Sequence, residues 1–464
     1  MGAKGDFTVK VSNKGVVTAA AEPIRHHWVP QSNLDRLLPP VEVGVFLCYK
    51  IPSSSFPCGS VMSFLKNALA RALVSYHVLA GEIVANPGEE LRVFCNNRGV
   101  DFVEAFADVE LTNLNFYKPE ESIEGKLVPK IRHGVLSVQV TELKNGGVVV
   151  ACAFDHRVAD AYSANMFLVS WAELARRELA TPSLPPVFRR SFLSPRHPGH
   201  YDPSLDDMYM LLSALPPPKL TKQYNADENK LISRVYCVEA DQLASLQSQA
   251  NSSRTIHDRR RTKLEAFSAL LWKIVAEGEA ESDKVCRMGI VVDGRMRLNE
   301  GDEDKAKMMA AYFGNVLSIP SGQKRASALK EMPLSSVADA VHELLEGAAT
   351  RDHFLDLIDW IEDRRPEQAF AKIYGSGTKE EDGAALVVSS GLRFPVGEVD
   401  FGWGRPVFGC FHCPWGGEVG HVMPMPSALR NGDWIVYMRM FIAQLDLIDA
   451  RAGHIFKPFA SNFL

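Results

Sequence analysis

A proline-rich stretch near the middle of the chain sets the strongest limit on how its 464 residues can fold. Nine prolines lie between Pro182 and Tyr224, in segments such as SLPPVFRRSFLSPRHPG and ALPPPKL. Proline lacks a backbone N–H and clashes with the preceding helical turn, so this stretch forms neither a long helix nor a central strand. The sequence therefore predicts a crossover connector at 182–224 between a first lobe, 1–181, and a second lobe, 225–464. An ordered lid within one large domain is the alternative.

Both predicted lobes mix strand and helix patterns. In the first lobe, the patterns predict strands at 43–50, 135–142 and 148–154, helices at 63–80 and 163–177, and a hairpin turn at 144–147. In the second lobe, they predict strands at 286–293, 384–389 and 433–440, and helices at 334–348 and over FSALLWKIVAEG. Thr262 and Glu265 precede that last helix at the spacing of a capping box. No strict βαβ rhythm is present, so the sequence predicts the α/β class with two lobes of mixed sheet and helices.

Charge and composition exclude several classes of protein. Lys and Arg number 51 against 56 Asp and Glu, and the sequence pI is about 6.3, whereas nucleic-acid binders usually carry a strongly basic surface. No apolar run approaches the roughly 18–20 residues that a membrane-spanning helix needs. The opening MGAKGDF lacks the apolar region of a secretory signal, and the eight cysteines lie in apolar surroundings, as reduced thiols do. We therefore expect a soluble cytoplasmic protein without a nucleic-acid or membrane partner.

The segment FDHRVAD contains the first candidate for chemistry, His156, four residues before Asp160. His156 follows an apolar strand and precedes a helix, where a rigid scaffold can present a side chain to a cleft. An imidazole with an ordinary pKa near 6.5 is suited to take a proton from an alcohol or amine at neutral pH. Asp160 either orients this ring or pairs with a cation. The alternative is a histidine that only ends a strand, with Asp160 as the N-cap of the helix.

The segment DFGWG is the second candidate, with Asp400, Gly402, Trp403 and Gly404. Two glycines that alternate with aromatic residues permit a tight bend braced by the rings. Only Asp400 carries an acid or base, so the segment is typical of a structural turn or a ligand-contacting turn.

Other patterns give no indication of a metal or nucleotide cofactor. Cys410 and Cys413 have CxxC spacing around His412, but no second such pair exists and the segment alternates like a strand. The pair His26-His27 has no acidic residue or third histidine nearby in the sequence. A P-loop, a GxGxxG turn after a strand and a GxSxG elbow are all absent from the sequence.

A basic run, DRRRTK, leads into the predicted helix that follows Thr262. It contributes Arg261 and Lys263 as exposed charges beside a helix N-terminus, and both features attract phosphate. The alternative is an ordinary solvated loop.

HxxxD in the middle of the chain and DFGWG near its end resemble the paired motifs of the plant BAHD acyl-CoA-dependent acyltransferases. Further matches extend through most of the chain, namely SNLD at 32–35, LAG at 79–81, VDGR at 292–295 and YFGN at 312–315. Glu82 departs from the family pattern, which usually has Arg after LAG. The related condensation and chloramphenicol-acetyltransferase types favour HHxxxDG, whereas Asp155 precedes the histidine here.

The resemblance implies two chloramphenicol-acetyltransferase-like lobes with a solvent channel between them. Acyl-CoA would enter as co-substrate from one end and an acceptor alcohol or amine from the other, with His156 as general base, no covalent acyl-enzyme and no further cofactor. The aspartate of HxxxD would point to the arginine at position 295, and DFGWG would be a structural turn. By family position, the expected contacts with CoA are Thr262, Lys263, Ser389 and Ser390, and the basic run adds Arg261 to them.

Within the family, the chain resembles members that acylate coniferyl alcohol, through segments such as HHWVPQSNLDRLLPP and FDHRVADAYSANMFLVSWA. Transfer of hydroxycinnamoyl groups to shikimate or quinate is the alternative. Members that use those acids often have an Arg about two dozen residues before DFGWG, where this chain has Ser376. We expect a small acyl donor such as acetyl-CoA and a monomeric enzyme. A catalytically silent binding protein is the alternative from another class.

Overall fold

The computed structural model describes residues 7–20, 25–51, 60–84, 90–177, 179–215, 231–252, 259–281, 283–299, 301–375, 381–414 and 416–460. Within these ranges, the strands β1 to β19 are, in chain order, Val9–Val17, His27–Pro30, Glu42–Lys50, Glu82–Val84, Arg92–Cys95, Val100–Glu110, Leu136–Lys144, Gly147–Asp155, Tyr209–Leu211, Leu231–Val238, Val285–Asp293, Leu317–Ser318, Ser321–Arg325, Ala369–Ala371, Asp382–Ser389, Phe408–His412, Gly420–Pro426, Trp434–Phe441 and Lys457–Pro458. The helices α1 to α11 are Ser60–Ser75, Pro119–Ser122, Ala161–Arg177, Leu205–Met208, Ala240–Ala250, Lys263–Glu277, Glu303–Ala310, Ala326–Glu331, Leu334–Ala348, Arg351–Glu362 and Ile442–Ala452. No helix in the described ranges is long and apolar enough to cross a membrane.

The first large sheet has six strands in the order β1-β6-β7-β8-β3-β16. Its central strand β8 is buried along its whole length except at Asp155, because core residues cover both of its faces. Helices α1 and α3 pack on each other, and side chains such as Leu69 and Trp171 join the core of this sheet. The turn between β7 and β8 has positive φ at Asn145 (58°) and Gly146 (80°), as a type I′ hairpin requires. The predicted hairpin is therefore confirmed.

The second large sheet has eight strands in the order β12-β11-β15-β17-β18-β10-β19, with β13 also paired to β11. Residues of α5, α6, α9 and α11 form a core with one face of this sheet. Side chains of the opposite face, among them Val235, Met423 and Tyr437, join the core of the first sheet instead. The two sheets therefore share buried contacts, in agreement with the predicted α/β class.

One strand crosses between the two halves of the chain. Strand β16, which follows the DFGWG segment, pairs antiparallel with β3 and so extends the first sheet. Two glycines permit this close approach: a Cβ added to Gly44 would lie 3.0 Å from the carbonyl oxygen of His412, and one added to Gly409 would lie 2.8 Å from Cδ2 of Leu47. The predicted division places residues 408–412 in the second lobe, 225–464. The hydrogen bonds of β16, however, join it to the first sheet. The division of the chain at 182–224 stays a prediction.

The described part of the proline-rich connector contains only short elements, as the prolines require. They are a 3-10 helix at Arg190–Leu193, α4, β9 and a second 3-10 helix at Leu212–Ala214, with β9 paired to β14. Leu193, Leu205 and Tyr209 are buried in a third core cluster. The last residues of the predicted connector, 216–224, lie outside the described residues.

The predicted helix at 63–80 differs from the structure at its end. Helix α1 stops at Ser75, and a 3-10 helix spans His77–Ala80. Between them, Tyr76 leaves helical geometry with ψ at 43°. Its buried ring packs edge-on against Phe167, and its hydroxyl is hydrogen-bonded to that of Ser170 at 2.8 Å. Tertiary packing therefore ends the helix where the apolar periodicity alone would continue it.

Candidate active site

The loop that carries His156 begins where β8 ends, and backbone hydrogen bonds fix it on both sides. The His156 N–H donates to the carbonyl of Val41 at 2.9 Å. Asn315 donates from its side-chain amide to the carbonyl of His156, also at 2.9 Å. The carboxylate of Asp155 accepts two hydrogen bonds from the guanidinium of Arg157, at 3.0 and 2.6 Å. The carboxylate of Asp155, next to His156, is therefore paired with Arg157.

Asp160 forms a bidentate ion pair with Arg295, which follows β11 in the other half of the chain. The guanidinium donates at 2.8 and 3.1 Å, and both side chains are at least 98% buried. Burial by itself lowers the pKa of Arg295, and the carboxylates of Asp160 and Asp293 raise it above its ordinary value. Asp160 also accepts from the N–H of Ser163 at 2.8 Å, which makes it the N-cap of α3. The carboxylate thus pairs with a cation and caps a helix.

Asp35 and Asn315 are residues to which the sequence analysis gave no role. Asn315, 0% exposed, donates from its backbone and side-chain N–H groups to Asp35 Oδ1 at 2.8 and 2.9 Å. The backbone N–H and the hydroxyl of Ser32 both donate to Asp35 Oδ2 at 2.8 Å. The segments SNLD and YFGN thus meet and hold the backbone of His156. Their signal in the sequence was a set of polar side chains within otherwise apolar segments.

The imidazole of His156 lies half-buried, and its Nδ1 makes no hydrogen bond within the described part of the chain. A second imidazole, that of His421 on β17, lies close enough to interact with it electrically. Burial lowers the pKa of His421 to about 4, and its electrostatic interaction with His156 acts in the same direction. His421 is therefore uncharged at neutral pH. Sequence reasoning missed it, although a histidine in the apolar strand GHVMPMP was a visible signal.

Of the expected CoA contacts on α6, Thr262 serves as the helix cap. Its hydroxyl accepts from the N–H of Glu265 at 3.2 Å, and its own N–H donates to the Glu265 carboxylate at 2.5 Å, so the predicted capping box is confirmed. Arg261 differs from the expected exposed charge: it is 7% exposed, and its Nε donates to Asp339 at 2.8 Å. Lys263 lies half-buried in the first turn. Lys263 is therefore the more accessible cation of this pair.

The other expected CoA contacts, Ser389 and Ser390, lie half-buried at the end of β15. Strand β15 is parallel to β11, with Ser389 beside Val291, so both strands end at the same edge of the sheet, near Arg295. Helix α6 packs against both strands and is joined to β11 by a short connection. The Glu279 carboxylate, just after the end of α6, accepts from the N–H of Ala384 near the start of β15 at 2.7 Å. The C-terminal end of α6 therefore lies at the opposite end of β15 from the serines. The structure thus places the serines and the start of α6 toward one edge of the second sheet.

The DFGWG segment forms a tight turn away from His156. Asp400 Oδ1 accepts from the N–H groups of Gly402 and Gly404 at 2.8 and 3.0 Å, and both glycines have positive φ, 110° and 104°. Asp400 also pairs with Arg176 near the end of α3, while the rings of Phe401 and Trp403 pack on Tyr49. His156 precedes the opposite end of this 17-residue helix, which is about 25 Å long at 1.5 Å per residue. The contacts of the turn are therefore structural, and it lies far from His156.

The sequence as a whole is similar to a family of transferases and to several curated acyltransferases. The model of the Transferase family matches residues 7–454. Similar curated proteins include an omega-hydroxypalmitate O-feruloyl transferase of Arabidopsis thaliana, 27% identical over 81% of this chain and 78% of that protein. Anthranilate N-benzoyltransferase protein 3 of Dianthus caryophyllus is 27% identical over 95% and 98%, and shikimate O-hydroxycinnamoyltransferase of Nicotiana tabacum is 26% identical over 86% and 89%.

Solved structures with the same fold are also known. Vinorine synthase matches with a TM-score of 0.69 and 19% identity, over 98% of this chain and all of that one. F. graminearum TRI101 complexed with ethyl coenzyme A matches with a TM-score of 0.73 and 14% identity, over 92% and 98%. At these identities the likeness establishes the fold.

Proposed function

The chain belongs to the transferase family of the BAHD acyltransferases and is an acyl-CoA-dependent acyltransferase, and on this premise we propose that it acylates a phenylpropanoid alcohol such as coniferyl alcohol, with acetyl-CoA as donor. The observation that carries the proposal is the placement of His156. Its backbone is hydrogen-bonded on both sides, to Val41 and Asn315, while its Nδ1 makes no hydrogen bond within the described residues. An imidazole on a backbone held in this way is suited to proton transfer.

In the proposed reaction, His156 takes the proton of the acceptor hydroxyl as the oxygen attacks the thioester carbonyl carbon. The tetrahedral intermediate then expels the CoA thiolate, and the imidazolium returns the proton to the sulfur. The acyl group forms an ester with the acceptor and the C–S bond is broken, so the protein ends the cycle unchanged. Asp155 and Asp160 do not enter this scheme, because each is engaged by an arginine. His156 acts without a carboxylate partner.

The proposed CoA contacts are the start of α6 and the hydroxyl groups of Ser389 and Ser390. The hydroxyl of Thr262 is used by the capping box, so its contribution is to hold the helix N-terminus, whose partial positive charge favours phosphate. Lys263 adds a full charge in the same turn. Arg261 stabilises this turn through its ion pair with Asp339, and we assign it no direct contact with CoA.

Replacement of Lys263 with alanine is expected to raise the Michaelis constant for acetyl-CoA about two- to fivefold at low ionic strength, the usual effect of one partly exposed charge. The increase should shrink as salt is added, because ions screen the attraction. Steady-state kinetics at two salt concentrations measure it. Lys10→Ala, which removes an exposed charge from the edge strand β1, is the matched control and should change nothing. An unchanged Michaelis constant for Lys263→Ala at low salt would indicate that the basic run is an ordinary solvated loop.

The choice of a neutral acceptor rests on what the carboxylate of shikimate or quinate would need around it. A carboxylate in a desolvated channel needs a cation, and the sequence has no Arg between Arg365 and Arg393. Ser376, at the position where acid-specific members often have Arg, lies outside the described residues. Three cations that precede it in the described part of the chain have other partners: Arg364 pairs with Asp206, Arg365 with Glu90 and Glu362, and Lys372 donates to the carbonyl of Asp206. These contacts favour coniferyl alcohol over shikimate or quinate.

The two substrate pairs can be compared directly. We expect the catalytic efficiency with coniferyl alcohol and acetyl-CoA to exceed that with shikimate and p-coumaroyl-CoA by at least about tenfold, the effect of 1.4 kcal/mol in transition-state binding. Mass spectrometry of the ester products measures both reactions under one set of conditions. A higher efficiency on the shikimate pair would overturn the choice of acceptor and leave the acyl-transfer chemistry in place.

A further inference from the structure

Three side chains that are distant in sequence meet on the small sheet β2-β5-β4. His27 lies directly opposite Cys95 in the antiparallel pair of β2 and β5, so both side chains are on one face. His77 begins the 3-10 helix that leads into β4. The potential ligand atoms of His27, His77 and Cys95 all lie within 4.8 Å of one another, and the two imidazole centroids are also 4.8 Å apart.

The two imidazoles are held in a way that suits metal ligands. His27 Nδ1 lies 3.0 Å from the carbonyl oxygen of Arg25, so an N–H at this position donates there and leaves Nε2 as the free lone pair. The ring of His77 is hydrogen-bonded to the backbone of Ser75. Metal-bound histidines commonly make such a second hydrogen bond, which fixes the tautomer and the orientation of the ring. One ring nitrogen of each histidine lies within 4.8 Å of the thiol sulfur of Cys95.

The donor set selects the class of ion. One thiolate and two imidazoles suit Zn²⁺, whereas Mg²⁺ and Ca²⁺ prefer oxygen ligands. Burial raises the pKa of the Cys95 thiol to about 12, and the nearby guanidinium of Arg190 opposes this only in part. Deprotonation of the thiol would therefore come from the zinc ion itself, which deprotonates a thiol that coordinates it. Around a tetrahedral zinc ion, with bonds of about 2.0–2.3 Å, the ligand atoms are roughly 3.3–3.6 Å apart. The present separations, up to 4.8 Å, are longer than this. Because His27 is exposed, its side chain can move inward and shorten them.

We propose that His27, His77 and Cys95 form a binding site for a zinc ion, with water in the fourth position. The ion would join β2, the turn before β4, and β5, and so stabilise the small sheet. It would take no part in acyl transfer, for which His156 suffices. The pair His26-His27, which lacked a partner in the local sequence, thus gains its partners from the fold.

Cobalt provides the spectroscopic test. Full-length protein freed of metal with a chelator is titrated with Co²⁺, and we expect one equivalent to produce a thiolate-to-cobalt charge-transfer band together with the intense visible bands of tetrahedral cobalt. One equivalent of Zn²⁺ should displace it. In His27→Ala the affinity should fall at least about 10- to 100-fold, and in Cys95→Ser the charge-transfer band should vanish. Zinc should also raise the melting temperature of the native protein and not that of His27→Ala.

Two matched controls make the result specific. His26→Ala removes an exposed neighbouring imidazole, and Cys413→Ser removes another thiol that is not in a disulfide. Both variants should bind cobalt like the native protein. Because Cys95 is buried, its variant can fail to fold, and His27→Ala at the exposed position then decides alone. The proposal is overturned if no stoichiometric binding occurs, or if His27→Ala binds cobalt as tightly as the native protein.

Discussion

Replacement of His156 with alanine is expected to lower turnover by roughly 10²- to 10⁴-fold, the usual contribution of a positioned general base. The acceptor oxygen would then attack the thioester without transfer of its proton to the protein. The backbone of the loop is held by Val41 and Asn315 and not by the imidazole, so the variant should keep the native fold. Release of free CoA thiol from acetyl-CoA with coniferyl alcohol measures the loss.

Binding of CoA separates this effect from general damage to the site. The dissociation constant for CoA, measured by calorimetry, should stay within about twofold of the native value, because the proposed contacts lie on α6 and at the end of β15. His454→Ala, which removes an exposed imidazole near the end of α11, is the matched control and should keep full turnover. Near-native turnover of His156→Ala would refute the assignment of His156 as the base.

Replacement of Asp160 with asparagine is expected to lower the free energy of unfolding by about 3–5 kcal/mol, because it leaves the buried guanidinium of Arg295 without its carboxylate. The pair is bidentate and almost fully buried. The same change weakens the cap of α3. Denaturant titration measures the loss, which should appear as a lower midpoint with little change in slope.

A double variant distinguishes a structural pair from a catalytic carboxylate. Removal of both charges in Asp160→Asn with Arg295→Met should destabilise the protein by less than the two single changes added together. Glu398→Gln breaks the exposed pair with Arg430, in which both side chains are about half exposed, and should leave the stability nearly unchanged. If Asp160→Asn is inactive and yet as stable as the native protein, Asp160 is catalytic and the structural interpretation is wrong.

Local patterns predicted the elements that hold the site. The end of β8 before His156, the start of α3 after Asp160 and the capping box at Thr262 all depend on residues a few positions apart. Apolar periodicity and cap chemistry act over that same range, so the sequence contains their signal directly. The pairing of Asp160 with Arg295 came from the resemblance to a family and not from any local pattern.

Contacts between distant segments were beyond such reasoning. Nothing near Asp35 indicates that it meets Asn315, and nothing near His77 indicates that it meets Cys95. The burial of Arg261 was missed for the same reason, because its partner Asp339 lies on α9, 78 residues further along the chain. These long-range contacts depend on how the helices pack and on the register of the strands. Patterns within a single sequence do not specify either.

The position of β16 has a consequence for how the chain is made. Strand β3 leaves the ribosome early, and its partner β16 follows roughly 360 residues later, which is about 20–70 seconds at ordinary rates of synthesis. During that interval the edge of β3, with the apolar sequence VFLCY, has unpaired backbone groups of the kind that recruit other strands. Nascent chains must be protected at this edge until Phe408–His412 has been synthesised, and any product that terminates earlier keeps it open permanently.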